Sequence, residues 1–106
     1  METKQAISAL NALGHTTRLA AFRLLVEAGP EGRMAGDIAE ALSVPNATLS
    51  FHLKELVHAS LVQSESIGRN VCYRANYSAM NALLAYLTHN CCAGAPCDTP
   101  ATKDCC

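Results

Sequence analysis

The chain has 106 residues, half of them apolar and 16% charged, with a formal net charge of −1. That length makes one small domain, and a domain so small leaves much of its surface unburied, so a second copy is the natural cover for an exposed apolar face. The opening Met1-Glu2-Thr3-Lys4-Gln5 lacks the charged-then-apolar build of a signal peptide, the apolar stretches are far too short to span a membrane, and no nucleophile–base pair, phosphate loop or paired carboxylates suggest an enzyme.

In chain order, Ala6, Ile7, Leu10 and Leu13 recur at helical spacing and predict a short first helix ending near Gly14. Thr16 or Thr17 is expected to cap the second, with Leu19, Phe22, Leu25 and Val26 as its apolar stripe and Arg18 and Arg23 facing water. Gly29-Pro30-Glu31-Gly32 breaks it. A third helix is expected from about Ala35 to Leu42, with Ile38, Ala39 and Leu42 inward. Ser43-Val44-Pro45-Asn46 is a tight connection in which Pro45 suits a helix start and Asn46 is able to cap. The fourth helix, to about Ala59, places Leu49, Leu53, Leu56 and Val57 on its buried side.

The period then changes. Leu61 to Ile67 and Val71 to Ala75 are short β-type runs around Gly68-Arg69-Asn70, a hairpin turn in which Gly68 and Asn70 tolerate positive φ. Cys72 stands alone in the second strand, on the opposite face from Val71 and Tyr73, where a structural role is expected. A last helix, about Tyr77 to His89, carries Met80, Leu83, Leu84 and Leu87 on one face. Beyond Asn90 the composition turns to Cys, Gly, Pro, Thr and Ala, which cannot bury a core. The expected division is therefore a folded domain over residues 1–90 and a cysteine-rich tail over 91–106.

Helix, short turn, helix and then hairpin is the succession of a winged helix-turn-helix, mainly α with a small β-hairpin. In that arrangement the fourth helix lies in the DNA major groove with its N-terminal residues at the base edges. Its outer face offers Asn46, Thr48, Ser50, Phe51 and Lys54 for base and phosphate contacts, and Arg69 at the hairpin tip suits the negative minor groove. Net charge argues weakly against a nucleic-acid partner. The charges are segregated, however: Lys54, Arg69 and Arg74 face Glu55 and Glu65 between Asn46 and Arg74, with His52 and His58 in reserve, while acids crowd Glu27 to Glu40. A dimer doubles the basic surface on one face.

Leu13-Gly14-His15-Thr16-Thr17-Arg18-Leu19, Ala47-Thr48-Leu49-Ser50-Phe51-His52-Leu53-Lys54-Glu55-Leu56, Ala59-Ser60-Leu61-Val62 and the wing from Gly68-Arg69 to Tyr73 together resemble the ArsR–SmtB family. The resemblance spans roughly residues 5 to 90. It implies a homodimeric winged-helix repressor that leaves its operator on binding metal or metalloid ions, with a dimer built mainly from the first and last helices. It also implies that Ser50 and His52 fill a Ser-x-His pattern in the recognition helix, His52 either touching DNA or sitting partly buried as an orienting residue.

The sensing site has to come from this chain's own residues. The Cys-x-Cys of many arsenic-responsive members is absent from Arg33-Met34-Ala35-Gly36-Asp37. The Asp and His pairs of zinc-responsive members are absent from the last helix, which has only His89. Five of the six cysteines, in contrast, fall at Cys91, Cys92, Cys97, Cys105 and Cys106. Their clustering in a cytoplasmic chain, where thiols stay reduced, points to ion ligation or redox sensing rather than structural disulfides. The layout resembles a subgroup of arsenic-responsive repressors with a Cys-Cys…Cys site. Thiolates select thiophilic ions, and three of them without histidine suit the pyramidal coordination of As(III) or Sb(III). Cys91, Cys92 and Cys97 are the expected ligands, with Cys105 and Cys106 accessory. A fourth cysteine from that pair would instead suit tetrahedral zinc. The expected function is an arsenite- or antimonite-responsive repressor on a pseudo-palindromic operator. The alternatives are a repressor of the same fold answering to thiol oxidation or to cadmium, lead or zinc, and a buffer for soft metals.

Overall fold

The computed structural model describes residues 1–94. In chain order it contains α1 (Thr3–Leu13), α2 (Thr16–Ala28), β1 (Arg33–Met34), α3 (Ala35–Leu42), α4 (Asn46–His58), β2 (Val62–Ile67), β3 (Asn70–Ala75), α5 (Tyr77–Leu87) and a short turn of chain at Cys91–Gly94. Helices α1 to α4 pack on one another and a three-stranded antiparallel sheet in the order β1-β3-β2 closes one side. This is the winged helix-turn-helix expected from the order of elements, with one strand that the sequence did not reveal. β1 is only two residues long and pairs Arg33 with Tyr73 and Met34 with Cys72. Two residues carry no readable alternation, so the strand exists through its partner.

The core is Leu25, Ile38, Leu49, Leu53, Leu56, Leu61 and Val62, all essentially without exposure, with Phe22 and Leu83 at its edge. α1 contributes an unexpected ridge: Ala6, Ala9 and Ala12 are buried, while Ile7 and Leu10 are 52% and 42% exposed. Small side chains at i, i+3 and i+6 let α1 approach its neighbours closely, and the bulkier residues are turned outward. α5 divides similarly. Met80 and Leu83 pack on the core, and Leu84 and Leu87 stand more than half exposed.

The caps differ from those expected. His15, not Thr16 or Thr17, caps α2: its Nδ1 accepts a hydrogen bond from the Thr17 amide at 3.1 Å. Pro45 occupies the N-cap of α4 and Asn46 is the first helical residue, with no side-chain cap. α3 ends on Ser43 in the left-handed region (φ 54°, ψ 45°), and the Val44 amide bonds back to the Ala39 carbonyl. That closure usually recruits glycine, because a Cβ there is disfavoured.

Asn76 joins three elements. Its side-chain oxygen caps α5 at the Ala79 amide, its Nδ2 donates to the Ser60 carbonyl at 2.9 Å, and its amide donates to the Leu61 carbonyl. Tyr77 adds a hydroxyl donation to the Val26 carbonyl at 3.1 Å, tying α5 to the end of α2. The wing turns tightly at Gly68-Arg69, with Ile67 opposite Asn70 and Gly68 at φ 62°. Gly32 has the stricter requirement. At φ 71°, an added Cβ would run into the Tyr73 carbonyl oxygen and lie 2.7 Å from the Arg74 side chain.

Gly32→Ala is therefore expected to cost at least about 2 kcal/mol, a left-handed penalty plus a clash, and to lower the melting temperature by roughly 10 °C or more. Ser43→Gly relieves a left-handed residue without loss of a buried contact and is expected to raise stability by about 1 kcal/mol. Thermal melts of the two variants beside the parent check both.

Candidate nucleic-acid interface

α3 and α4, joined by the three residues Ser43 to Pro45, form the helix-turn-helix, and α4 presents its second side to solvent. Leu49, Leu53 and Leu56 anchor α4 in the core. Asn46, Thr48, Ser50, Phe51 and Lys54 are all exposed, as expected of residues available to DNA. Arg69 is exposed at the turn of the wing. α4 and the wing turn thus present hydroxyls, an amide, a ring and two cations, the chemistry that reads base edges and phosphates.

His52 differs from its neighbours. It is 8% exposed and belongs to the buried side of α4. Arg18 Nη1 lies 3.3 Å from its Nδ1, and the His15 ring stacks against it at a centroid distance of 4.4 Å. Phe51 meets the His52 ring edge-on at 5.6 Å. Arg18, expected to face water, is instead half-buried: its Nε donates to the Ala12 carbonyl at 2.7 Å while its Nη1 reaches His52. The guanidinium thus ties the end of α1 to the middle of α4, with the His15 cap of α2 beside it. An arginine is always a donor, so the contact requires a lone pair on His52 Nδ1 and a neutral ring with its proton on Nε2. Burial depresses the His52 pKa below the ordinary 6.5, and the nearby His15 and Arg18 charges push it the same way against an opposing pull from Glu55.

Arg74, counted among the basic residues of this region, is occupied structurally. It donates to Glu65 at 2.9 Å across the wing and to the Pro30 carbonyl at 3.0 Å. Two free cations, Lys54 and Arg69, are what remain of the basic residues between Asn46 and Arg74 for a phosphate backbone.

Cys72 is buried on the inner side of β3, with its thiol 3.5 Å from the Glu31 carbonyl. Cys91 and Cys92 follow α5 within a few residues, where the backbone turns left-handed at Asn90, Cys92 and Ala93. Cys97, Cys105 and Cys106 lie outside the described residues. Among the described residues no three His, Cys, Asp or Glu side chains gather as ion ligands, and no helix is long and apolar enough to cross a membrane.

This geometry defines a DNA-binding module of the transcription-regulator class. The profile of the helix-turn-helix domain family matches residues 13–65, half of the chain, and the chain belongs to that family. A search of curated proteins finds no significant match. Among solved structures it is similar to an ArsR-like transcriptional regulator from Rhodococcus, with 28% identity, TM-score 0.69 and coverage of 79% of this chain and 76% of that one. It also shares its fold with a homodimeric winged helix-turn-helix DNA-binding domain from Mycobacterium bovis (23% identity, TM-score 0.67, 81% and 84% covered). A third similar structure is the transcriptional repressor BigR from Xylella fastidiosa (24% identity, TM-score 0.64, 83% and 88% covered).

A lowered His52 pKa has a defined sign. The folded state prefers the neutral ring, so this residue's contribution is complete above about pH 6.5 and declines as the pH falls through that value, where the unfolded chain takes up a proton first. Denaturant midpoints measured from pH 7.5 down to 5.5 should fall more steeply for the parent than for His52→Gln, which keeps an acceptor for Arg18 but does not titrate.

Proposed function

We propose that this chain is a homodimeric, cytoplasmic repressor that occupies a pseudo-palindromic operator in its ion-free form and leaves it when As(III) or Sb(III) binds Cys91, Cys92 and Cys97. The observation that carries the reading is a pair of adjacent cysteines placed just beyond α5, in a helix-turn-helix chain whose α5 bears uncovered apolar residues. Ile7 and Leu10 of α1, Leu19 of α2 and Leu84 and Leu87 of α5 are large, apolar and exposed. Beside them Leu13, Leu19, Phe22, Leu61, Met80 and Leu83 are among the residues lining a cavity of about 220 Å³. A second copy covering these residues would bring the two α4 helices to successive major grooves, about 34 Å apart.

Three thiolates satisfy a trivalent metalloid without any further ligand. Each thiol proton leaves with an arsenite hydroxyl as water, and three As–S bonds replace three As–O bonds. Capture would fix the chain immediately after α5, within the dimer contact, and change how the two halves sit on DNA. A coupling free energy of about 1–3 kcal/mol per event weakens operator binding several-fold to about a hundredfold. Cys105 and Cys106 act as accessory thiols in this scheme. A redox-sensing variant of the same fold would oxidise Cys91-Cys92 or Cys105-Cys106 with peroxide and restore them with a thiol reductant.

The test is fluorescence anisotropy of the reduced protein on the DNA upstream of its own gene, at fixed salt, titrated separately with arsenite and zinc. Release by arsenite and not zinc, lost in Cys91→Ser and Cys97→Ser while DNA binding persists, is the expected result. Continued release by arsenite in both variants would show that the site is elsewhere.

A further inference from the structure

The outer face of α4 contains a feature that phosphate and hydrogen-bond recognition do not use. With about 3.6 residues per turn, Ala47, Phe51, Lys54 and His58 follow one another along the line of the helix opposite Leu49, Leu53 and Leu56. Phe51 lies at the middle of that line and is 59% exposed. A phenyl ring left in water is unfavourable, and nothing in the core or in the helix-turn-helix requires it there. It is also held: the ring meets His52 edge-on, and His52 is fixed in turn by Arg18 and His15. Ala47, one turn earlier, is exposed too, so the two make a small apolar ridge flanked by the hydroxyls of Thr48 and Ser50 and followed by Lys54.

We infer that Phe51, assisted by Ala47, is the residue that selects thymine in each operator half-site, by packing against the C5-methyl group in the major groove. The thymine methyl is the apolar group among the hydrogen-bonding atoms of the base-pair edges there, and an apolar side chain is its natural contact. A protein surface would also cover a phenyl ring, but the flanking hydroxyls and Lys54 suit base edges and phosphate oxygens. The residues that would cover a second copy, on α1, α2 and α5, lie on other elements. The inference rests on the DNA-binding part of the proposed function and is independent of the metalloid.

The experiment uses the full chain and a library of duplexes with a randomised core. Sites enriched by the parent protein are expected to carry thymine at one fixed position in each half. Replacing those thymidines by deoxyuridine removes only the methyl group. Binding by the parent should weaken about fourfold for one half-site and about fifteenfold for both, the worth of one buried methyl group each time. Phe51→Ala should bind the thymine site more weakly than the parent and should distinguish thymine from uracil by less than about twofold, the share left to Ala47. Its melting temperature should match the parent's, since the ring is largely exposed, and a Phe51→Leu protein should retain part of the discrimination. Enrichment of a specific site with no response to deoxyuridine, or an equal response in Phe51→Ala, would overturn the thymine assignment and leave the DNA-binding reading intact. No enrichment of any sequence would overturn both.

Discussion

One guanidinium ties α4 to the first two helices of the domain. Arg18 begins on α2, donates to the last turn of α1 through Ala12 and reaches the inner side of α4 at His52. Leucines bury the rest of α4, but apolar contacts are not directional and would tolerate a helix rotated or slid by a small amount. The hydrogen bond to a neutral imidazole is directional, and the His15 ring lies against that imidazole at a centroid distance of 4.4 Å. His15 is at the same time the cap of α2, so a single histidine pair serves a helix start and a helix orientation. The exposed residues Asn46, Ser50, Phe51 and Lys54 therefore point where they do because of atoms on the other side of the helix.

The second constraint is area. A domain of this size cannot cover all its large apolar side chains, and besides Leu19, Phe51 and Ile67 this one leaves Ile7, Leu10, Leu84 and Leu87 exposed on α1 and α5. α1 buries alanines and turns Ile7 and Leu10 outward, and α5 buries Leu83 and turns Leu84 and Leu87 outward. A chain seeking only monomer stability would have the reverse arrangement on α1. The choice of small residues inside makes sense when the larger ones have a second task.

Much of this was readable in the residues. The helical periods, the breaks at Gly14 and Gly29, the Ser43 to Pro45 connection and the Gly68 turn all act locally, and local signals survive folding. What was hidden depended on distant partners. β1 is a strand only because β3 lies beside it. Arg18 reads as a solvated cation until the Ala12 carbonyl and His52 are brought to it, and Arg74 reads as free until Glu65 and Pro30 are. The cap at His15 escaped notice because threonine is the better general cap and two threonines follow it. Ser43 and Ser60 take left-handed backbones that sequence assigns to glycine. Candidate DNA residues were legible for a simpler reason: a helix face that is polar where its opposite is leucine must meet solvent or a partner. His52 was the ambiguous one, since a histidine is at home on either side.

The wing is tied to the body over half its length. β2 and β3 are six residues each, so the arm from Leu61 to the Gly68-Arg69 tip is about 20 Å long. Arg74 fastens it to the Pro30 carbonyl and to Glu65, and β1 pairs with Tyr73 and Cys72, so the strands run free of the body only beyond Cys72. That outer part is about 10 Å long, and a tilt of about 5° there moves the tip by about 1 Å. The position of Arg69 is therefore inherited from the body as far as Cys72 and adjusted by the turn alone beyond it.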